Sequence, residues 1–296
     1  MPATEKALLV GASGRVGTLL RKAWALAPPD KLDLVFQWRD AAPCSESLIW
    51  DPFEGPDALA VHSRAHGPPK TIMMLAGGTP ATAAHLEINR QLAVACLEAA
   101  RAVGTQRVLV ASSAVIYGPG KGIPFSEETP CAPVSPYGFA KRDMEHACTP
   151  YRDAGMEVCC LRIGSVLGAD ALMLNAASMR RLRIDRFADG NGPIRSFVGP
   201  LTLSRLLETL CTLGRPLPDT LNVGAPCPLR MSEIATAAEL NWQWRKAPEG
   251  AVQDVILDCT RLAAIHGFSS TESSAKEMIA QLKEIGAAPV PPGTAG

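Results

Sequence analysis

At 296 residues the chain is long enough to bury a sizeable core in one or two domains. Hydrophobic content is 47% and charged content 20%, and 29 basic residues balance 29 acidic ones, so no electrostatic footprint for nucleic acid or an anionic membrane emerges. No run approaches the ~18 apolar residues that span a bilayer, the start Met1-Pro2-Ala3-Thr4-Glu5-Lys6 lacks a signal-peptide layout, and nine cysteines form no Cys-x-x-Cys. Reduced, mostly buried thiols in a cytoplasmic protein are expected.

Ala7-Leu8-Leu9-Val10 is a short apolar run that stops at glycine. Gly11-Ala12-Ser13-Gly14-Arg15-Val16-Gly17 follows, and then an apolar-periodic stretch to Ala27. This reads as strand, glycine turn and helix. Glycines allow a tight turn and close backbone approach, while a helix N-terminus offers free N–H groups and partial positive charge. The whole stretch, Ser13, Arg15 and Val16 included, is a candidate cradle for the pyrophosphate of a dinucleotide. Its Gly-x-x-Gly-x-x-Gly spacing differs from the more usual Gly-x-Gly-x-x-Gly.

A second strand, from Leu32 to Gln37, ends in Trp38-Arg39-Asp40. The residue just past this strand meets the adenosine ribose in dinucleotide folds, where an acid suits a 2′-hydroxyl and an arginine a 2′-phosphate. Arg39 leans toward NADP, whereas Asp40 would serve NAD. Leu48-Ile49-Trp50 reads as a third strand, ending at Asp51, an acid placed to cap the adenine. His62-x-x-x-His66 has a possible ligand spacing, but it reads as loop beside Gly67-Pro68-Pro69 with no acid or cysteine to complete a metal site.

Thr71 to Leu75 is a buried strand, and Ala76-Gly77-Gly78 after it is small enough for a cofactor to lie across. A helical pattern runs from Thr82 to Val103 and stops at Gly104; Asn89 within it is a candidate polar contact beneath the site. Arg107 to Ala111 is a fifth strand with Ser112 and Ser113 at its carboxyl end, where open α/β sheets bind ligands. Pro136-Tyr137-Gly138-Phe139-Ala140-Lys141 opens a helix that should run to about Ala154. Residues four apart on a helix are neighbours, so Lys141 lies over the same pocket as the Tyr137 phenol. A nearby positive charge favours phenolate. Glu157 to Arg162 is a sixth strand, in which Cys159 and Cys160 should point to opposite faces.

Six strands mostly separated by helices imply a doubly wound parallel α/β sheet with right-handed crossovers. After Gly168 the alternation becomes irregular. Asp189-Gly190-Asn191-Gly192-Pro193 is turn chemistry, expected in a hairpin. Helices are expected from Leu172 to Leu182, Leu201 to Leu213, Ser232 to Leu240 and Ser273 to Ile285, and strands at 220–223 and 251–258. The division expected is 1–168 for a dinucleotide-binding domain, joined again by 201–224. Residues 169–200 and 225–286 form a small substrate lobe, and 287–296 a disordered tail.

Taken together, Gly11-x-x-Gly14-x-x-Gly17, Ser112-Ser113-Ala114-x-x-Tyr117-Gly118, Pro136-Tyr137-x-x-x-Lys141, Leu161-Arg162-x-Gly164-x-Val166-x-Gly168 and Leu221-Asn222-Val223-Gly224 resemble the extended short-chain dehydrogenase/reductases, in particular the NAD-dependent epimerase/dehydratase group. The resemblance implies a Rossmann-like fold, a bound NAD or NADP, and a sugar or sugar-nucleotide substrate. It implies Ser113 as the hydrogen-bond partner of the reacting oxygen, Tyr137 as general acid/base, and Lys141 as the group that lowers the tyrosine pKa and holds the nicotinamide ribose. Arg195, in Arg195-Ser196-Phe197-Val198, falls where such enzymes approach a sugar nucleotide, although the acids usual just beyond are Pro200-Leu201-Thr202 here. Ser113-Ala114-Val115 replaces the threonine-aspartate-glutamate run of the dehydratases, which disfavours elimination. A homodimer through the helices starting at Thr82 and Pro136 is also implied. The alternatives are an NADP-dependent reductase of a small carbonyl compound and a non-catalytic sensor of NAD(P).

Overall fold

The computed structural model describes residues 4–41, 47–79, 85–179 and 181–288. The first part of the chain runs β1 (Glu5–Val10), α1 (Arg15–Leu26), β2 (Leu32–Trp38), β3 (Ser47–Ile49), α2 (Asp57–His66), β4 (Thr71–Met74), α3 (Ile88–Val103), β5 (Arg107–Ser113), α4 (Pro136–Ala147), α5 (Thr149–Asp153) and β6 (Glu157–Ile163). It continues through β7 (Ser165–Val166), α6 (Ala171–Ser178), β8 (Leu182–Arg186), β9 (Ile194–Arg195), β10 (Phe197–Val198), α7 (Pro200–Cys211) and β11 (Thr220–Val223). It closes with β12 (Leu229–Arg230), α8 (Met231–Ala237), β13 (Trp242–Lys246), β14 (Asp254–Val255), α9 (Thr260–Ala263) and α10 (Ala275–Glu284).

Seven strands pair in parallel in the order β11-β6-β5-β4-β1-β2-β3. The sequence runs outward from β1 in both directions, so the topological switch point lies between β1 and β4. Strands buried on both faces need apolar residues at every position, which is why Leu8, Leu9, Ile72, Met73 and Met74 are all essentially inaccessible. Side chains alternate between faces. Leu9, Met73, Leu109 and Cys159 join one core with α1 and α7; Leu8, Ile72, Met74, Val108 and Cys160 join the other with α3 and α4. Cys159 and Cys160 therefore do face opposite ways, and the cysteines of the described residues are all unbridged.

Several expectations are corrected. The His62 and His66 segment is helical: α2 ends at His66, capped by Gly67 with a φ of +82°, and the two rings lie tilted against each other with centroids 4.7 Å apart. No group of three metal-binding side chains occurs among the described residues. The tyrosine helix ends at Ala147, and a separate short helix, α5, carries Pro150, which cannot continue an N–H ladder. Helix α3 begins at Ile88, while the expected start at Thr82 lies outside the described residues, as does the tail from 289. Asp189 does build a turn, accepting from Asn191 N–H at 3.0 Å, but β8 pairs with β13 and β9 with β12 and β14, so no hairpin ladder forms. No described helix is long and apolar enough to cross a membrane.

A buried polar seam ties α4 to the sheet. Arg162 of β6 donates Nη2 to Glu145 Oε2 of α4 at 2.9 Å and Nη1 to the Tyr117 phenol oxygen at 2.9 Å. Tyr117 donates in turn to Asn222 Oδ1 of β11 at 2.8 Å, and Asn222 Nδ2 donates to the carbonyls of Phe125 and Asp258. The Arg162 and Glu145 side chains are only 8% and 7% exposed. Breaking a buried pair by removing one partner leaves an uncompensated charge and costs about 3–5 kcal/mol. Glu145→Ala should therefore lose stability on that scale in chemical denaturation. A loss below about 1 kcal/mol, typical of exposed pairs, would show that Arg162 does not depend on Glu145.

Candidate active site

A cavity of about 540 Å³ opens at the carboxyl ends of the central strands. Gly14, Arg15, Val16 and Gly17 line it from the loop after β1, and Ala76, Gly77, Gly78 and Thr79 from the loop after β4. Ser112 and Ser113 enter from β5, Tyr137 and Lys141 from α4, Gly164 from just past β6, and Ser165 and Val166 from β7. This is the switch point of the sheet, where ligands bind in open α/β folds.

Local rules explain how each group arrives there. Ser135 accepts from Gly138 N–H at 3.1 Å and Pro136 occupies the first turn, so α4 starts at a fixed place and Tyr137 sits at its head. Lys141, one turn on, is 4% exposed and donates Nζ to the Ala111 carbonyl at 2.8 Å, with the Tyr137 ring centroid 5.8 Å away. Gly11 has φ +94°, and a Cβ there would meet Ala76 N at 2.6 Å, so the glycine is required by backbone and neighbour alike. Helix α1 has no side-chain cap at Gly14, which leaves its first N–H groups free toward the cavity.

Residues 7–203 match the sequence profile of the NAD dependent epimerase/dehydratase family. The chain belongs to this family. Over 82 residues it is 35% identical to UDP-glucose 4-epimerase of Corynebacterium glutamicum, which covers 27% of this chain and 25% of that protein. The chain spans a quarter or less of the length of the curated relatives it matches. Among solved structures, the UDP-glucose 4-epimerase of Stenotrophomonas maltophila with bound NAD and formylated UDP-arabinopyranose superposes with a TM-score of 0.77 at 16% identity, covering 96% of this chain and 98% of that one. MoeE5 in complex with UDP-glucose and NAD gives 0.74 at 23% identity, with 94% and 98% covered. At such identities the likeness carries the fold.

The residues fit the dinucleotide that the family name implies. The uncapped α1 N-terminus suits a pyrophosphate. Ser112 Oγ and Asn89 Oδ1 are buried with no hydrogen-bond partner, although buried polar atoms are nearly always satisfied. Ser112 lines the cavity; Asn89 lies behind Gly77, where an added Cβ would come within 2.5 Å of Asn89 Oδ1. Six expected site residues lie outside the lining: Gly11, packed against Ala76, and Asn89, behind Gly77, with Ser13, Arg39, Asp51 and Arg195. Ser13 and Arg39 are exposed, the latter just past β2. Asp51 accepts from Phe53 N–H at 3.0 Å and caps a turn of 3-10 helix. Arg195 spends its guanidinium on backbone, donating to the carbonyls of Ile194 at 2.7 Å, Gln253 at 2.6 Å and Val252 at 2.8 Å.

Two positions escaped the sequence reading. Gln37, buried at the tip of β2, accepts from Gly11 N–H at 3.0 Å and donates to the Trp50 carbonyl, so it links the glycine turn to the strand beyond. Its only sequence signal is a polar residue in an apolar strand. Asp170 lines the cavity and caps α6; an acid before an apolar helix signals a cap, not a cavity wall.

Burial sets the electrostatics. It raises the Tyr137 phenol above its ordinary pKa, against opposing pulls from the Ser113 hydrogen bond and the charge of Arg15. It pushes the Lys141 ammonium down to about 8. Lowering of the phenol by Lys141, as the resemblance implied, is not seen in the protein alone. Lys141 has a folded pKa below its unfolded value, so its charged form is penalised on folding and stability rises as pH climbs from about 8 toward the unfolded value. The free energy of unfolding of the wild type relative to Lys141→Met should increase across that interval. A difference flat with pH would mean that Lys141 keeps its ordinary pKa.

Proposed function

We propose that the chain is an NAD(P)-dependent oxidoreductase or epimerase acting at a hydroxyl-bearing or carbonyl carbon of a sugar-type substrate. The observation that carries this reading is one cavity that joins an uncapped helix N-terminus to the side chains of Ser113, Tyr137 and Lys141. Family membership and relatives named for UDP-sugars support a sugar as the class. In this reading residues 1–168 with 201–224 hold the cofactor, and 169–200 with 225–286 form the substrate lobe. The packed pair α3 and α4 is the surface on which a homodimer would form.

Gly14 to Gly17 would hold the pyrophosphate on backbone N–H groups, and Lys141 with the loop from Ala76 to Gly78 the nicotinamide half. Bound there, a nicotinamide dinucleotide supplies a hydride donor or acceptor and, when oxidised, a positive ring. Ser113 orients the reacting oxygen. Tyr137 moves its proton: burial favours the neutral phenol, the form that can protonate a carbonyl oxygen. In the opposite direction the phenol must act as a base, and added positive charge in the cavity favours that ionisation. Ala111 holds Lys141 in place throughout.

A second reading, an NADP-dependent reductase of a small carbonyl compound, is favoured by the tip of β2. The neutral amide of Gln37 stands there instead of a carboxylate, with exposed Arg39 beside it.

Tyr137→Phe should lower kcat by roughly 10²–10⁴-fold, the usual worth of a placed proton donor, and leave cofactor affinity within about twofold. Turnover equal to wild type would remove Tyr137 from the chemistry. Arg39→Asp should reduce the preference for NADPH over NADH about tenfold, equivalent to ~1.4 kcal/mol. Identical preference in direct binding titrations would place the 2′-phosphate away from Arg39.

A further inference from the structure

We infer that Arg15 is the charge that favours the phenolate form of Tyr137, a positioning role that the family resemblance gives to Lys141 alone. This rests on the reading of Tyr137 as the group that moves the proton. It brings a residue of the glycine turn, on another wall of the cavity, into that step.

Besides Tyr137, the charged side chains among the described lining residues are Arg15, Lys141 and Asp170. Two of these three are consumed internally. Asp170, ahead of α6, accepts from Leu172 N–H at 2.9 Å, Met173 N–H at 3.2 Å and Gly168 N–H at 3.1 Å, and burial disfavours its anion. Lys141 donates Nζ to the Ala111 carbonyl at 2.8 Å, and the Met144 sulfur lies 3.9 Å from the same nitrogen. Glu145, one turn further along α4, is held by Arg162. Arg15 stands apart from these. It opens α1, it is exposed in the cavity, and no side-chain hydrogen bond or ion pair ties it to a described residue. Its charge and the Ser113 hydroxyl are the two groups that oppose the effect of burial on the Tyr137 phenol.

The two cations also differ in when they carry charge. A cation aids the ionisation of a phenol only while it stays protonated itself. Burial pushes the Lys141 ammonium down to about 8, so its charge fades as pH climbs toward the phenol range of about 10. A guanidinium does not lose its proton in proteins. The field of Arg15 therefore persists through the interval in which Tyr137 titrates. When Tyr137 gives its proton to a carbonyl oxygen as hydride reaches the carbon, a phenolate is left behind, and Arg15 stabilises it. In the opposite direction that phenolate takes the proton back from the hydroxyl. Favouring the phenolate thus makes Tyr137 a stronger acid in one direction and a more populated base in the other.

The test is a tyrosinate absorbance titration of the 296-residue chain without cofactor, in wild type, Arg15→Gln and Arg15→Lys. The chain has three tyrosines, and Tyr117 and Tyr151 are both pushed up to about 12, chiefly by burial. Tyr137 is therefore read as the difference between each protein and its Tyr137→Phe counterpart. Arg15→Gln should lower the acid dissociation constant of Tyr137 about threefold, the scale of one charge acting across a half-exposed site. Arg15→Lys, which restores the charge, should return most of that loss. A Tyr137 that titrates alike in wild type and Arg15→Gln overturns the inference, as does an Arg15→Lys shifted as far as Arg15→Gln. The second readout is the pH profile of kcat for alcohol oxidation at saturating cofactor. Its limb should move to higher pH by the same factor in Arg15→Gln and return in Arg15→Lys. Failure of the catalytic reading is distinguishable: the tyrosinate shift would remain, sustaining the inference, while Tyr137→Phe turned over like wild type.

Discussion

The buried contact between Arg162 and Glu145 fixes the α4 wall of the cavity. Tyr137, Lys141 and Glu145 lie four residues apart on one face of α4, so placing one places all three. Glu145 is drawn into the seam by the Arg162 guanidinium, which no other described side-chain anion neutralises as directly. Lys141 then reaches the Ala111 carbonyl, and Tyr137 comes to the cavity mouth beside Ser113. The same guanidinium holds the Tyr117 phenol, which reaches Asn222 on the edge strand β11. Three segments far apart in sequence are thus referred to one charge. Such a seam adds little net stability compared with apolar packing, but it has only one satisfied arrangement.

The cofactor side is set by a different constraint, the reversal of strand order between β1 and β4. The two loops that leave these strands must diverge, and the gap between them is the cavity. Close packing fills the rest: Gly11 lies on the Ala76 backbone, Gly17 on the Gly11 carbonyl, and Gly77 against the Asn89 side-chain amide, each too close for an added Cβ. The cavity is consequently walled by main-chain groups on one side and by Ser113, Tyr137 and Lys141 on the other.

How much of this was legible in the sequence follows from how local each signal is. The parallel sheet was legible because its central strands, covered on both faces, are near-continuous apolar runs such as Ala7 to Val10 and Thr71 to Leu75 that stop at glycine or at Ala76-Gly77-Gly78. The serines were legible because they sit at a strand end, the tyrosine because it sits in a first helical turn, and the lysine because it follows the tyrosine by four residues on the same helix. Helix α2 was not, because its apolar face is short, with Leu59 its one buried residue, and prolines flank it. The β8 and β13 ladder was not, because it pairs residues such as Leu182 and Trp242 across a long stretch of intervening chain. Arg195 was legible by resemblance, yet its guanidinium is claimed by carbonyls at Val252 and Gln253 that no local pattern announces. Gln37 and Asp170 take their meaning from Gly11 and from the first turn of α6, and the sequence shows only a polar residue and a cap.

The most direct test of the central claim is a fluorescence titration of the purified 296-residue chain with NADH and with NADPH, preceded by mass identification of any nucleotide released on denaturation. Saturable binding of one of them at one per chain, or that nucleotide already carried through purification, is the predicted result. A folded protein that neither carries nor binds either nucleotide would contradict it, because the glycine turn would then be structural and Tyr137 would have no partner for its chemistry.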